Sequence, residues 1–217
     1  MNRYDAVLFD FDYTLGDATA SIYEGFRHGF SQMGYPVPTV DAVRGTVGRL
    51  LEDAFTDLTG EADRGKRKEF YRLFVGHVEH IQAETTVLLP GAEDLLRTLH
   101  AKGVKLGVVS SKRSGILKET LEALGVLNCF AYIVGGEQVQ APKPDPQGLN
   151  EGIAALGADK ARVLYCGDTT IDAGTAQNAG VDFCAVLEGV TPQAAFAPYP
   201  HVHIAPDLKD LKAWLES

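Results

Sequence analysis

Short apolar runs rich in β-branched residues recur along the chain, and helical patterns separate most of them. The runs lie at residues 6–9, 104–109, 132–134, 163–165, 183–187 and, more weakly, 202–204. Between them, apolar residues follow the period of about 3.6 residues that is typical of amphipathic helices. Strands that are apolar throughout and alternate with helices predict an α/β fold, in which helices cover both faces of a doubly wound parallel sheet.

Residues 18–86 interrupt this alternation, because they contain helical patterns and no convincing strand. Phe70, Phe74, Val78 and Ile81 share one helical face within this span. The chain leaves the sheet around Gly16 and returns at residues 88–91, where proline and glycine favour a bend. We therefore predict a Rossmann-like core domain of residues 1–15 and 89–217, with an all-helical domain of residues 16–88 inserted after the first strand.

Composition and charge argue against several classes of function. The 217 residues carry a formal net charge of −9, whereas proteins that bind nucleic acid or anionic lipid usually present a basic face. The three cysteines match no zinc or disulfide pattern. The first residues lack a secretory signal, and no apolar run approaches the roughly 20 residues that span a bilayer. We expect a cytoplasmic monomer or homodimer with no nucleic-acid or membrane partner.

Polar residues follow the apolar runs at the points where the predicted strands end. Ligands of open parallel sheets bind beyond these carboxyl ends. The residues concerned are Asp10, Asp12 and Thr14 after the first run, Ser110, Ser111 and Lys112 after the second, Lys143 after the third, and Asp168 and Asp172 after the fourth. We expect these groups to converge on one edge of the sheet.

This set of groups is suited to binding a phosphate ester and transferring its phosphoryl group. Asp10 and Asp12 repel each other unless a cation lies nearby, and Mg²⁺ prefers carboxylate oxygens together with water and phosphate oxygens. Lys143 and Ser110 could hold the remaining phosphoryl oxygens, because phosphoryl transfer depends on position and charge neutralisation. A carboxylate can also attack phosphorus directly and become an aspartyl phosphate.

These ordered motifs resemble those of the haloacid dehalogenase (HAD) superfamily hydrolases. The similarity covers nearly the whole chain and is greatest to the branch of the phosphoglycolate phosphatases and β-phosphoglucomutases, which carry a helical cap after the first motif. The resemblance implies that Asp10 is the nucleophile and a metal ligand. It implies that Asp12 is the general acid/base and lends its backbone carbonyl to the metal, and that Thr14 orients Asp12.

The later motifs receive their roles from the same resemblance. Ser110 corresponds to the Ser/Thr of the second motif, Lys143 to the lysine of the third, and Asp168 to the metal-binding aspartate. Asp172 would hold a metal-bound water. Thr169 and Asp172 also have the spacing of a helix capping box, which is a structural alternative for Asp172.

Several positions depart from the pattern of the family. Tyr13 stands where most relatives have glycine, which places a bulky ring beside the nucleophile. Ser111 replaces a common asparagine and is a candidate substrate-binding residue. Arg49 follows a turn flanked by Gly45 and Gly48 and could bind the anionic end of a substrate; the alternative is an exposed arginine on the following helix.

The resulting hypothesis is a Mg²⁺-dependent phosphatase that hydrolyses a small phosphorylated metabolite, similar to phosphoglycolate or a sugar phosphate, through an aspartyl phosphate. One alternative is a phosphomutase of the β-phosphoglucomutase type. Such mutases carry a cap histidine where this chain has Ile22, and glutamate where it has Gly167. Another alternative is a non-catalytic phospho-acceptor domain of the receiver type, but receivers are shorter and lack a helical insertion.

Overall fold

The computed structural model describes residues 3–79 and 81–217. The chain divides into two compact units, of which one comprises the chain up to Asp17 together with Val87–Ser217, and the other is Ala18–Thr86. These boundaries fall two residues inside each end of the predicted insertion, 16–88.

The first unit holds every strand of the described residues. The strands are β1 (Ala6–Phe9), β2 (Gly16–Asp17), β3 (Val87–Leu88), β4 (Lys105–Val109), β5 (Phe130–Val134), β6 (Val163–Gly167), β7 (Asp182–Val186) and β8 (His203–Ala205). The α-helices of the chain are α1 (Thr19–Met33), α2 (Val40–Arg44), α3 (Leu51–Thr59), α4 (Arg64–Val78), α5 (Gln82–Thr85), α6 (Ala92–Ala101), α7 (Ser114–Ala123), α8 (Gln147–Leu156), α9 (Thr170–Ala179) and α10 (Leu208–Glu216).

Strands β1 and β4–β8 form a parallel sheet in the order β5-β4-β1-β6-β7-β8. Strand β1 is central, and Leu8 pairs in register with Gly107 on one side and Tyr165 on the other. This order confirms the predicted doubly wound α/β fold. It also brings the carboxyl ends of β4, β1 and β6 next to one another.

The sheet is buried on both faces, which explains why its strands are apolar throughout. Phe9 and Leu106 belong to the core on one face, where side chains of α6, α7 and α10 also pack. Leu8 and Tyr165 belong to the core on the other face, with side chains of α8 and α9. Alternate residues of each strand therefore serve two separate cores.

The helical unit, Ala18–Thr86, has an aromatic core of its own. Helices α1 and α4 pack together, and the rings of Phe26 and Phe70 lie 5.1 Å apart between centroids. Gly25 and Gly29 allow this approach, because a Cβ at either position would collide with side chains of α4. The predicted apolar face is observed: Phe70, Phe74 and Val78 are buried and Ile81 is partly buried, together with Phe30 and Phe55.

A two-stranded antiparallel ribbon, which the sequence pattern does not predict, joins the two passages of the chain between the units. Gly16 pairs with Leu88 and Asp17 with Val87, and the Leu89 N–H donates to the Leu15 carbonyl. Among residues 3–79 and 81–217, no helix is both long and apolar enough to cross a membrane.

Candidate active site

Asp10 is the first residue after the central strand, and it is buried. Only 3% of its surface is exposed, and its backbone N–H donates to the Cys166 carbonyl of the neighbouring strand over 2.9 Å. Ser110 and Asp168 occupy the equivalent positions after the flanking strands β4 and β6. The parallel register thus places these groups at one edge of the sheet, as the spacing predicts.

A tight turn follows Asp10 and holds Tyr13 in a left-handed conformation. The Phe11 carbonyl accepts hydrogen bonds from the N–H groups of Thr14, Leu15 and Gly16, and Tyr13 has φ of 57°. Such a backbone costs a non-glycine residue about 1–2 kcal/mol. The Tyr13 side chain is 2% exposed, and burial of a large apolar side chain stabilises by roughly 1.5–3 kcal/mol. Burial therefore offsets the strain, and the turn keeps the shape that glycine adopts readily.

Lys143 bridges two carboxylates inside the site. Its Nζ lies 2.9 Å from Asp10 Oδ1 and 2.7 Å from Asp172 Oδ1, and the lysine side chain is 8% exposed. The same ammonium donates to the Tyr165 hydroxyl over 3.3 Å. Burial alone would lower the pKa of Lys143, but the attraction of Asp10 and Asp172 outweighs it and raises the pKa well above its usual value. Lys143 is therefore a permanent cation here.

Asp10, Asp168 and Asp172 form a cluster of buried carboxylates whose oxygens lie within 4.8 Å of one another. Burial above all raises the pKa of Asp10, against the attraction of Lys143 and with smaller contributions from Asp172 and Asp12, and the net value is about 6. Burial, followed by repulsion from Asp172 and Asp10, raises the pKa of Asp168 well above its usual value. When all three carboxylates are ionised, the cluster therefore holds more negative charge than the single Lys143 ammonium compensates.

A hydrogen bond and a closely packed loop restrict the position of the Asp168 side chain. The Thr14 hydroxyl donates a long hydrogen bond of 3.4 Å to Asp168 Oδ1. This partner differs from Asp12, which the family resemblance implies for Thr14. On another side, the loop after β7 passes so close that a Cβ on Gly189 would collide with the Asp168 carboxylate. Glycine at position 189 therefore leaves room for Asp168.

The predicted capping-box role of Asp172 is observed, whereas its contact with a metal-bound water stays a prediction. It forms a capping box with Thr169 at the start of α9: the Thr169 hydroxyl donates to Asp172 Oδ2 over 2.5 Å, and the Asp172 N–H donates to Thr169 Oγ1. Its other oxygen contacts Lys143 and accepts a hydrogen bond of 3.1 Å from the Tyr165 hydroxyl. The cap therefore orients the carboxylate towards the site.

Asp12 lies apart from the carboxylate cluster and faces a second lysine. Lys112 Nζ is 3.1 Å from Asp12 Oδ1, and the two side chains are 6% and 15% exposed. No role was predicted for Lys112 from the sequence, although this residue directly follows Ser110 and Ser111 at a strand end. The contacts of Tyr165 were not predicted either, because its place in an apolar strand is typical of a core residue.

The remaining candidates are located as follows. The Ser110 side chain is buried, and its oxygen accepts a hydrogen bond of 3.2 Å from the Lys112 backbone N–H. Ser111 is half-buried beside it. Arg49 belongs to the helical unit, where Nη1 lies 2.5 Å from Asp57 Oδ2 and the arginine side chain is 47% exposed. Substrate binding by Ser111 and Arg49 stays a prediction.

The doubly wound sheet and the buried ionic site at its carboxyl edge define an α/β enzyme. Residues 7–186 match the family model of the haloacid dehalogenase-like hydrolases. Because this match covers most of the chain, the chain belongs to the haloacid dehalogenase-like hydrolase family.

Similar proteins from bacteria agree with this assignment. The chain is 34% identical over 187 residues to a phosphoglycolate phosphatase of Cereibacter sphaeroides, and the alignment covers 84% of this chain and 85% of that protein. It is 29% identical over 189 residues to a phosphoglycolate phosphatase of Caulobacter vibrioides, and this alignment covers 85% of this chain and 80% of that protein. A Bacteroides fragilis structure described as a haloacid dehalogenase-like hydrolase superposes with a TM-score of 0.92 at 36% identity, over 96% of this chain and 99% of that one.

Proposed function

We propose that this chain is a Mg²⁺-dependent phosphatase that hydrolyses a small phosphorylated metabolite through an aspartyl phosphate on Asp10. The observation that carries the proposal is the buried contact of Lys143 with both Asp10 and Asp172. A carboxylate held against a permanent ammonium, with further acidic groups beside it, suits the attack of an oxygen nucleophile on a phosphoryl group.

The carboxylate cluster fits a hard divalent cation. Its members are three buried acidic groups whose oxygens are mutually close and which have only the Lys143 ammonium among them, so a cation would compensate the remaining negative charge. Asp10 and Asp168, together with the Asp12 carbonyl that the family implies, would hold Mg²⁺, and Asp172 would hold a water bound to it. When bound, Mg²⁺ neutralises charge on the phosphoryl oxygens.

The residues of the site would divide the reaction into two steps. In the first, an Asp10 oxygen bonds to phosphorus while the bond to the leaving oxygen breaks and Asp12 protonates that oxygen. In the second, Asp12 takes a proton from a water, which attacks phosphorus and releases inorganic phosphate from Asp10. Lys143 and the Ser110 hydroxyl would hold the phosphoryl oxygens in both steps.

The substrate class follows from the relatives and the charge balance. Phosphoglycolate phosphatases are among the similar proteins, and we extend their activity to phosphoglycolate-like esters and sugar phosphates as the substrates of this chain. Its net charge of −9 favours small ligands, whose phosphoryl group the site lysines and the cation would neutralise, over extended polyanions. We place the enzyme in the cytoplasm.

The test is a panel of phosphate esters that includes 2-phosphoglycolate, sugar phosphates and inorganic pyrophosphate, assayed with Mg²⁺ and with excess chelator. We expect release of phosphate that requires Mg²⁺ and is abolished in D10N. The matched control is D94N, since the Asp94 side chain is 70% exposed on α6, and it should retain wild-type rates. Mg²⁺ should raise the melting temperature of the wild type but not of D168N. Full activity in excess chelator would contradict the metal requirement.

A further inference from the structure

Lys112 is a buried cation that forms an ion pair with Asp12 but, within the described part of the chain, no aligned hydrogen bond from its ammonium. Its side chain is 6% exposed, and its Nζ lies 5.8 Å from the centre of the Phe11 ring. The ammonium is 3.1 Å from Asp12 Oδ1, but among the described residues neither atom has an aligned hydrogen-bond partner. A buried polar group without such a partner is unfavourable unless a ligand completes it.

The two lysines of the site face different carboxylates. Lys143 lies against Asp10 and Asp172, where the phosphoryl group would bind. Lys112 lies against Asp12, the residue that would protonate the leaving oxygen. Because Asp12 must reach that oxygen within hydrogen-bond distance, an ammonium in contact with Asp12 lies beside the leaving group.

We propose that Lys112 binds a negatively charged group on the leaving group of the substrate. The inference rests on the proposed phosphatase function and narrows its substrates to phosphate esters whose leaving group carries an anion, a carboxylate or a second phosphate, close to the ester oxygen. In the free protein, the Lys112 ammonium contacts the Asp12 carboxylate. When substrate binds, the ammonium contacts the anion of the leaving group instead. This exchange leaves Asp12 free to hydrogen-bond the leaving oxygen.

A lysine that only compensates Asp12 would behave differently. Its loss would affect alkyl phosphate esters with similarly basic leaving oxygens alike, because Asp12 protonates the leaving oxygen of each. A lysine that binds the leaving group distinguishes charged from neutral esters. The pair 2-phosphoglycolate and 2-hydroxyethyl phosphate isolates this difference, since a carboxylate in the first is replaced by a neutral hydroxymethyl group in the second.

The experiment measures kcat/KM for both esters, and for inorganic pyrophosphate, with wild-type enzyme, K112M, K112R and K118M. Lys118 is exposed on α7, so K118M makes the same change in charge away from the site. We expect the wild type to prefer 2-phosphoglycolate. We expect K112M to lower the ratio of the two kcat/KM values by at least about tenfold, the scale of one lost charge-assisted hydrogen bond.

The variants separate the possible results. K112R keeps the charge and should retain most of the preference, which tests the proposal even where K112M folds poorly, and K118M should leave the ratio unchanged. A loss of preference for pyrophosphate alone would identify the bound anion as a phosphate and support the inference. An active K112M with the wild-type ratio would overturn it while the phosphatase function stands. A wild-type enzyme inactive on every ester would overturn both.

Discussion

Lys143 Nζ lies 2.7 Å from Asp172 Oδ1, and this contact belongs to a buried set of groups in which one ammonium faces several carboxylates. Removal of one partner from a buried ion pair leaves the other charge uncompensated, which typically costs about 3–5 kcal/mol. The contact therefore links the stability of the fold to the chemistry of the site.

The K143M variant tests this link. We expect its melting temperature to fall well below that of the wild type in chelator, because Asp10 and Asp172 lose their cation. Saturating Mg²⁺ should restore part of the loss, since a bound cation supplies positive charge to the same carboxylates. Thermal unfolding with and without Mg²⁺ gives both quantities, with K118M as the control. A melting temperature for K143M equal to that of the wild type in chelator would argue against an under-compensated cluster.

The close approach of Gly189 to Asp168 predicts a strong effect of a single methyl group. In G189A, the added Cβ would push the Asp168 carboxylate out of place. We expect a smaller increase of melting temperature with Mg²⁺ and a decrease of kcat/KM of roughly tenfold or more, since small displacements in a site have large kinetic effects. The control is G115A, because Gly115 on α7 has open space around its Cβ position. A wild-type Mg²⁺ response in G189A would mean that Asp168 does not hold the cation.

The two tasks proposed for Asp12 can be separated with p-nitrophenyl phosphate. Nitrophenolate is a good leaving group and hardly needs protonation, whereas hydrolysis of the aspartyl phosphate still needs a base. We expect D12N to release a short burst of nitrophenolate and then stall, with phosphate retained on Asp10. Rapid-mixing absorbance and intact mass spectrometry of the quenched protein measure the two events.

D10N is the matched control for the burst experiment, because it lacks the nucleophile. It should give neither a burst nor a phosphorylated protein. Near-normal steady-state turnover by D12N would remove Asp12 from the role of general acid/base.

A pair of stacked histidines predicts that the stability of the helical unit depends on pH. The rings of His28 and His77 lie 4.0 Å apart, and His77 Nε2 lies 3.0 Å from Glu24 Oε1. Burial and then repulsion from His77, with a smaller contribution from Arg27, lower the pKa of His28, while Glu24 opposes them. The fold thus favours neutral His28, so stability is lost as the pH falls through about 6.5, the usual value for histidine.

The measurement is the melting temperature at pH 7.5 and pH 5.5. Because His28 is half-buried and partly screened by water, we expect the drop between the two pH values to be only about 1–3 °C larger in the wild type than in H28Q. H100Q is the control, since His100 is exposed on α6, and it should retain the wild-type drop. An H28Q variant with an unchanged drop would exclude His28 as the group responsible.

Much of the fold could be predicted from local sequence, because buried parallel strands are apolar throughout and amphipathic helices have their own period. The strand Ala6–Phe9 coincides with its predicted run, and β4 differs by one residue. The ribbon of β2 and β3 was missed. Each strand has two residues, too few to show a period, and their hydrogen bonds join parts of the chain that are distant in sequence.

The sequence by itself determined which groups reach the carboxyl edge of the sheet, since Asp10, Ser110 and Asp168 each directly follow an apolar strand. It did not determine which ammonium faces which carboxylate. Only the tertiary structure pairs Lys143 with Asp10 and Lys112 with Asp12. The physical reason is that an ion pair depends on contacts near 3 Å and on loss of water. Both result from the packing of strands and loops that are far apart in the chain.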